Sequence, residues 1–157
     1  MAVPVWYLNH KTNLNGAQGR VVLVDPVSGP EADVGRLLER KSFGKTSWKH
    51  HLIRNYLADL STKLIASRQR VLYACRRVDA GQRADMEAGM AKLFASETAM
   101  QIALDAIRIH GGYGYSREFD VARYFRDAPL MIVGEGTNKI QRNIMVRQRV
   151  SRGTVAP

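Results

Sequence analysis

Cysteine is almost absent: Cys75 is the only one in 157 residues. A lone thiol closes no intrachain disulfide, so the fold cannot rest on a disulfide framework. Nor do the four histidines fall, with Cys75, at a zinc-ligand spacing, and no metal site is expected. Adjacent His50 and His51 would point about 100° apart on a helix and share one ion poorly. Long apolar runs are missing too. Val21-Val22-Leu23-Val24 is strand-sized, far short of the ~20 residues of a membrane-spanning helix. Met1-Ala2-Val3-Pro4 lacks the basic start of a secretory signal. These absences lead us to expect a reducing, cytoplasmic setting and no membrane partner. Order is affordable in composition, at 45% hydrophobic and 24% charged, and the length suits one domain.

Acidic residues are also scarce. Fourteen Asp and Glu face 24 Lys and Arg, for a net charge of +10. That excess invites a nucleic-acid partner, an anionic small molecule, an acidic protein, or only a solvated helical surface. Its distribution weighs against nucleic acid. Residues 1–35 carry only Lys11 and Arg20 against Asp25, Glu31 and Asp33. Beyond them the basic residues are scattered, with no aromatic interleaving that would stack bases. No nucleic acid is expected.

Two regions differ in kind. Residues 1–35 are dense in turn formers, among them Asn13, Asn15, Gly16, Gly19, Pro26, Gly29 and Pro30. They read as an irregular leader with one possible strand, Val21 to Val24, which needs a partner to be stable. Residues 36–157 read as helical. Leu37 to Arg40 suit the end of a short helix, and Thr46 or Ser47 suits the cap of the next. Ile53, Leu57, Leu60, Leu64, Val71, Cys75 and Val78 form one apolar stripe, ended by Gly81. Cys75 on that stripe reads as core, not nucleophile. A second stripe, Met86, Met90, Leu93, Met100, Leu104 and Ile107, predicts a helix from about Arg83 to Ile109. A third helix is expected from near Thr137, carrying Ile140 and Ile144. The fold class is all-α, an antiparallel helical bundle with short connections.

Two glycine-rich stretches punctuate it. Gly111-Gly112-Tyr113-Gly114-Tyr115 fails the dinucleotide fingerprint, because Arg117 stands where the third glycine belongs and no strand precedes it. A tight turn closing a helix explains it as well. In Gly134-Glu135-Gly136-Thr137 a glutamate sits between glycines just before a helix start. Such a carboxylate can be tuned as a general base. On the residues alone, the plainer reading is a loop glutamate that serves the helix macrodipole.

The motifs taken in order are more specific than any one of them. Glu39-Arg40-Lys41-Ser42-Phe43-Gly44-Lys45 precedes Leu57-Ala58-Asp59-Leu60 and Ala91-Lys92. The Gly111 to Tyr115 stretch, Arg126-Asp127-Ala128 and Glu135-Gly136-Thr137-Asn138-Lys139-Ile140-Gln141 follow. This string resembles the C-terminal helical domain of the acyl-CoA dehydrogenase family from about Arg36 to Val150. The resemblance implies FAD and an acyl-CoA substrate. It implies that Glu135 removes the α-proton while the β-carbon gives hydride to flavin, with the thioester carbonyl polarised by the backbone N–H of Glu135 and a flavin hydroxyl. Electrons would pass to an electron-transferring flavoprotein.

Arg40, Ser42 and Phe43 match a segment contacting FAD, usually that of a neighbouring subunit. Gly111 and Gly112 match the glycine pair at the FAD pyrophosphate across the same interface. Thr137 and Lys139 match FAD contacts, Gly136 lies against substrate, and Arg126 and Asp127 suit an ion pair. Two FAD positions depart from the family: Arg108 and His51 each replace a glutamine. The family's other domains and the bundle's first long helix have no counterpart here. The expectation is therefore a truncated chain needing other domains for turnover, as a homo-oligomer or beside complete subunits. The rival reading is a non-catalytic helical assembly module.

Overall fold

A computed structural model of the chain describes residues 37–153 and, before them, the strand segments at 5–8, 13–14, 17–18 and 21–24. The strand expected at Val21–Val24 forms as β4 and finds its partner within the leader. It pairs antiparallel with β1 (Val5–Leu8), Val5 opposite Val24 and Leu8 opposite Val21. Between them β2 (Asn13–Leu14) pairs with β3 (Ala17–Gln18). The boundary expected between residues 35 and 36 lies outside the described residues.

From residue 37 the chain is helical, apart from one short hairpin. Residues 37–39 make a helical turn, and β5 (Lys41–Ser42) pairs with β6 (Lys45–Thr46). Phe43 and Gly44, the two-residue link, both have positive φ, 50° and 77°. Those signs match a type I′ turn, whose twist suits tight hairpins. A 3₁₀ turn at Ser47–Lys49 follows, and then the helix α1 (His51–Asp79). The residue entering α1 is His50, in extended conformation; the expected cap at Thr46 or Ser47 opens the 3₁₀ turn instead.

The next helix is α2 (Asp85–His110), followed by a 3₁₀ turn at Gly111–Tyr115. Helix α3 (Val121–Val133) was not expected from the sequence, and α4 (Asn138–Ser151) begins where expected. Each of the other three helices packs on α2. This hub position changes how α2 is buried. Its expected stripe of Met and Leu is only half-buried, while Ala91, Ala103, Ala106, Ser96, Thr98 and other small residues are buried. A helix enclosed on several sides needs small residues all round rather than one apolar stripe. Gly89 shows why: a Cβ there would come 3.2 Å from the Met145 side chain on α4.

The core has two parts. Leu37, Leu60, Ile102 and Ile109 gather near the hairpin, joined by Ile53, Leu57 and Leu64 of the α1 stripe. Val71, Ala74 and Ala91 gather further along, with Cys75 against them. Burial first, and then the charge of Asp79, raise the Cys75 thiol above its ordinary pKa, which keeps it protonated and suits a core role. The far end is tied by buried Glu87. It accepts from Arg152 at 2.7 Å and lies 3.3 Å from the Arg77 Nε, joining α1, α2 and the end of α4. Among the described residues no helix is long and apolar enough to cross a membrane.

Candidate functional site

The hairpin and the end of α2 are built as one unit. The Arg40 carbonyl accepts from the backbone N–H of Ser47 at 2.8 Å and from its hydroxyl at 3.1 Å. The Arg40 guanidinium reaches across to donate to the His110 carbonyl at 2.9 Å. A Cβ on Gly111 would lie 3.7 Å from Arg40 Nη1. Two expected site residues, Arg40 and Gly111, thus meet. Ser42 is held by His50, whose Nε2 lies 3.0 Å from the Ser42 hydroxyl and 3.1 Å from its carbonyl. Phe43 sits at the turn tip, 98% exposed, its ring edge-on to that of His50. His51, the expected FAD position, is exposed in the first turn of α1, and its neighbour His50 is the histidine that contacts the hairpin. Arg108 is exposed and forms an ion pair at 2.7 Å with buried Asp105, one helical turn away.

The glycines of the 111–115 turn do different work. Gly111 ends α2 with φ 61°, a left-handed value that favours glycine. Gly114 is buried, and a Cβ there would stand 2.8 Å from the Ile107 carbonyl oxygen. Gly112 has neither reason: a Cβ on it would meet nothing within 4 Å.

Glu135 occupies the link between α3 and α4. Its side chain is exposed and its φ is 51°, with Gly136 following at 86°. For a residue with a Cβ the left-handed region costs roughly 1–2 kcal/mol, so the surroundings must enforce it. They do so from both sides. Gly134 donates its N–H to Leu130 at 2.7 Å, and a Cβ there would collide with that same oxygen at 2.9 Å. Gln141 Nε2 lies 3.4 Å from the carbonyls of both Glu135 and Gly136. Thr137 caps α4, its hydroxyl accepting from the Ile140 N–H at 3.3 Å. Lys139 is exposed on the first turn of α4, beside the loop.

Beneath the loop lies a buried polar cluster that the sequence did not reveal as such. Lys92 of α2 is 8% exposed and donates to Asn138 Oδ1 at 2.7 Å and to the Ile132 carbonyl at 3.2 Å. Asn138 and Ser96 hydrogen-bond each other at 2.9 Å. Burial pushes the Lys92 ammonium below its ordinary pKa. Arg126 and Asp127 are both exposed, and no ion pair joins them among the described residues. Nor does any group of three His, Cys, Asp or Glu among these residues gather as for a metal ion.

The expected site residues therefore fall into two groups. Arg40, Ser42, Phe43, Gly111 and Gly112 cluster at the His110 end of α2. Glu135, Gly136, Thr137 and Lys139 cluster over Lys92. His110 and Lys92 are about 27 Å apart along α2, at ~1.5 Å per residue. The expected site residues of the helical domain thus lie at two separate places.

Residues 31–149 match the family described as acyl-CoA dehydrogenase, C-terminal domain. The chain belongs to the acyl-CoA dehydrogenase family. Among curated relatives it is 46% identical over 110 residues to a cyclohexane-1-carbonyl-CoA dehydrogenase of Geobacter metallireducens, which covers 70% of this chain and 29% of that one. It is 40% identical over 107 residues to the CarC subunit of a caffeyl-CoA reductase-Etf complex of Acetobacterium woodii, covering 68% and 28%. Its fold is like that of butyryl-CoA dehydrogenase from Megasphaera elsdenii, with TM-score 0.74 and 37% identity over 76% of this chain and 31% of that one. The chain thus spans less than a third of the length of each of these three proteins.

Proposed function

We propose that this domain supplies the base and part of the cofactor site of an FAD-dependent acyl-CoA dehydrogenase. The observation that carries the reading is Glu135, a non-glycine residue in left-handed backbone, exposed at a loop braced from within the bundle. Folding alone favours glycine at such a position, so the carboxylate is there for something outside the chain.

The residues of the other group fit a flavin dinucleotide. Gly112 leaves open a space that no atom of the described chain fills, beside Gly111 and the Arg40 guanidinium. Adjacent glycines next to a fixed cation suit close approach by a diphosphate. Arg40, Ser42, Phe43, His51, Arg108, Gly111 and Gly112 would border it there. Thr137 and Lys139 would border it at the Glu135 loop. Because the two groups lie far apart on α2, they would serve FAD of two different copies, which calls for a homo-oligomer or for complete subunits alongside.

FAD, when bound, supplies the acceptor for the β-hydride. Glu135 takes the α-proton of the acyl-CoA thioester, and its backbone N–H hydrogen-bonds the thioester carbonyl. That hydrogen bond stabilises the negative charge developing on the oxygen and so acidifies the α-carbon. Gly136 lies against the acyl chain, where a side chain would intrude. The relative named as part of an Etf complex supports an electron-transferring flavoprotein as the electron acceptor.

The test is the visible spectrum of the chain with FAD, alone and mixed with a complete dehydrogenase subunit. Acyl-CoA is expected to bleach flavin bound with the wild-type domain. Glu135→Gln should keep the flavin and lose the bleaching by about 100-fold or more in rate. Undiminished bleaching with Glu135→Gln overturns the assignment of the base. A second reading, a non-catalytic assembly module, draws on exposed Phe43, Ile65 and Tyr73. Flavin binding by the wild-type domain would remove it.

A further inference from the structure

Lys92 is a buried cation without a buried anion. Its Nζ contacts two neutral oxygens, the Ile132 carbonyl and Asn138 Oδ1, and no carboxylate among the described residues. Burying an ammonium this way is costly, and an apolar side chain of the same length would fill the space without that cost. The two acceptors lie on opposite sides of one loop. Ile132 stands just before Gly134-Glu135-Gly136 and Asn138 just after it. Asn138 is itself 3% exposed and is fixed in orientation by Ser96, one turn along from Lys92 on the same face of α2.

We propose that Lys92 is a positioning residue for Glu135: from inside the bundle it ties the two ends of the loop together and so holds Glu135 in its left-handed backbone. The assignment rests on the reading of Glu135 as the base. A loop pinned at only one end could relax toward the ordinary right-handed or extended regions, and the carboxylate would swing away from its present direction. Pinned at both ends, the loop keeps Glu135 aimed outward without any ligand present. The ammonium acts through the loop and touches no reacting atom.

The experiment uses the full 157-residue chain without cofactor, so its outcome is independent of whether the domain turns over. Backbone amide hydrogen exchange and the HN–Hα coupling of Glu135 are measured by NMR in wild type, Lys92→Met and Asn138→Ala. Lys92→Met should speed exchange at Gly134, Ile140 and Gln141 by about 10-fold or more, with less than about 2-fold change at Val71 to Cys75 of α1. The Glu135 coupling should move from its left-handed value toward an averaged one. Asn138→Ala removes only one tie and should shift both readouts the same way, less far, which also decides the matter should Lys92→Met not fold. Equal acceleration at loop and core would reveal a stability role alone and overturn the proposal. So would an unchanged Glu135 coupling. Undiminished flavin bleaching by Glu135→Gln, in the separate spectral test, would instead count against the base assignment and leave the tie to Lys92 standing.

Discussion

The two glycine-rich stretches look alike in sequence and are built in opposite ways. The 111–115 turn is determined by its own backbone: Gly111 needs positive φ, and Gly114 must lie against Ile107. From outside the turn, the Arg40 guanidinium lies beside Gly111 and the Phe119 ring stands edge-on to Tyr113. The 134–136 loop has a residue that does not suit its backbone, Glu135, and is held by side chains: Lys92 and Asn138 from below, Gln141 and Thr137 from α4. Where glycines suffice the backbone itself sets the shape. Where a carboxylate replaces a glycine, buried polar groups have to enforce the shape.

The sharpest break should come at Gly114. Gly114→Ala puts a Cβ against backbone atoms that cannot swing aside, and should cost about 3 kcal/mol in chemical denaturation. Next is a control outside both stretches. Burial raises the pKa of Glu87, but the hydrogen bond from Arg152 and the charges of Arg152 and Arg77 outweigh it, and the net shift is downward. Its contribution is thus present above the unfolded-state pKa and is lost as pH falls through the folded one. Glu87→Gln should lower stability at neutral pH by about 2 kcal/mol and flatten the acid limb of the stability profile. Thr137→Ala removes the cap of α4 and should cost about 1 kcal/mol by thermal melting. Glu135→Gly should go the other way, raising stability by roughly 0.5–1 kcal/mol as the left-handed strain is relieved, while α-proton abstraction disappears. Smallest is Gly112→Ala, within about 0.5 kcal/mol of wild type because the Cβ enters open space. It should nevertheless weaken FAD retention in a flavin titration. A large stability loss at Gly112, or none at Gly114, would undo the contrast between the glycines.

Helices α1 and α4 were legible, because a stripe marks the one and Thr137 marks the start of the other. Helix α2 was legible in extent but not in burial, since three neighbours enclose it and no single stripe remains. Helix α3 was missed: Pro129 reads in sequence as a breaker although the helix runs through it, and Leu130 to Val133 make a continuous apolar run with no period to read. The leader's hairpin has a signal in Asn15-Gly16, a dipeptide favoured at tight turns, but the density of turn formers around it obscures it. Within the site, Glu135 stood out by its glycines and Arg40 by its motif. The hold of His50 on Ser42 did not, because neighbouring histidines cannot be told apart until the helix start is fixed. Lys92 and Ser96 share a helical face at i and i+4, yet polar residues on a helix ordinarily face water. Only tertiary packing brings Asn138 over them.

The left-handed backbone at Glu135 also bears on how such a chain changes over generations. Codons for glutamate and glycine differ by one base, and at this position the exchange should relax the fold. A lineage selected only for a well-packed bundle would therefore drift to glycine in a single step, gaining robustness as it did so. Keeping the acid requires selection on what the acid does, and position 135 becomes a record of whether the chemistry proposed for it is in use.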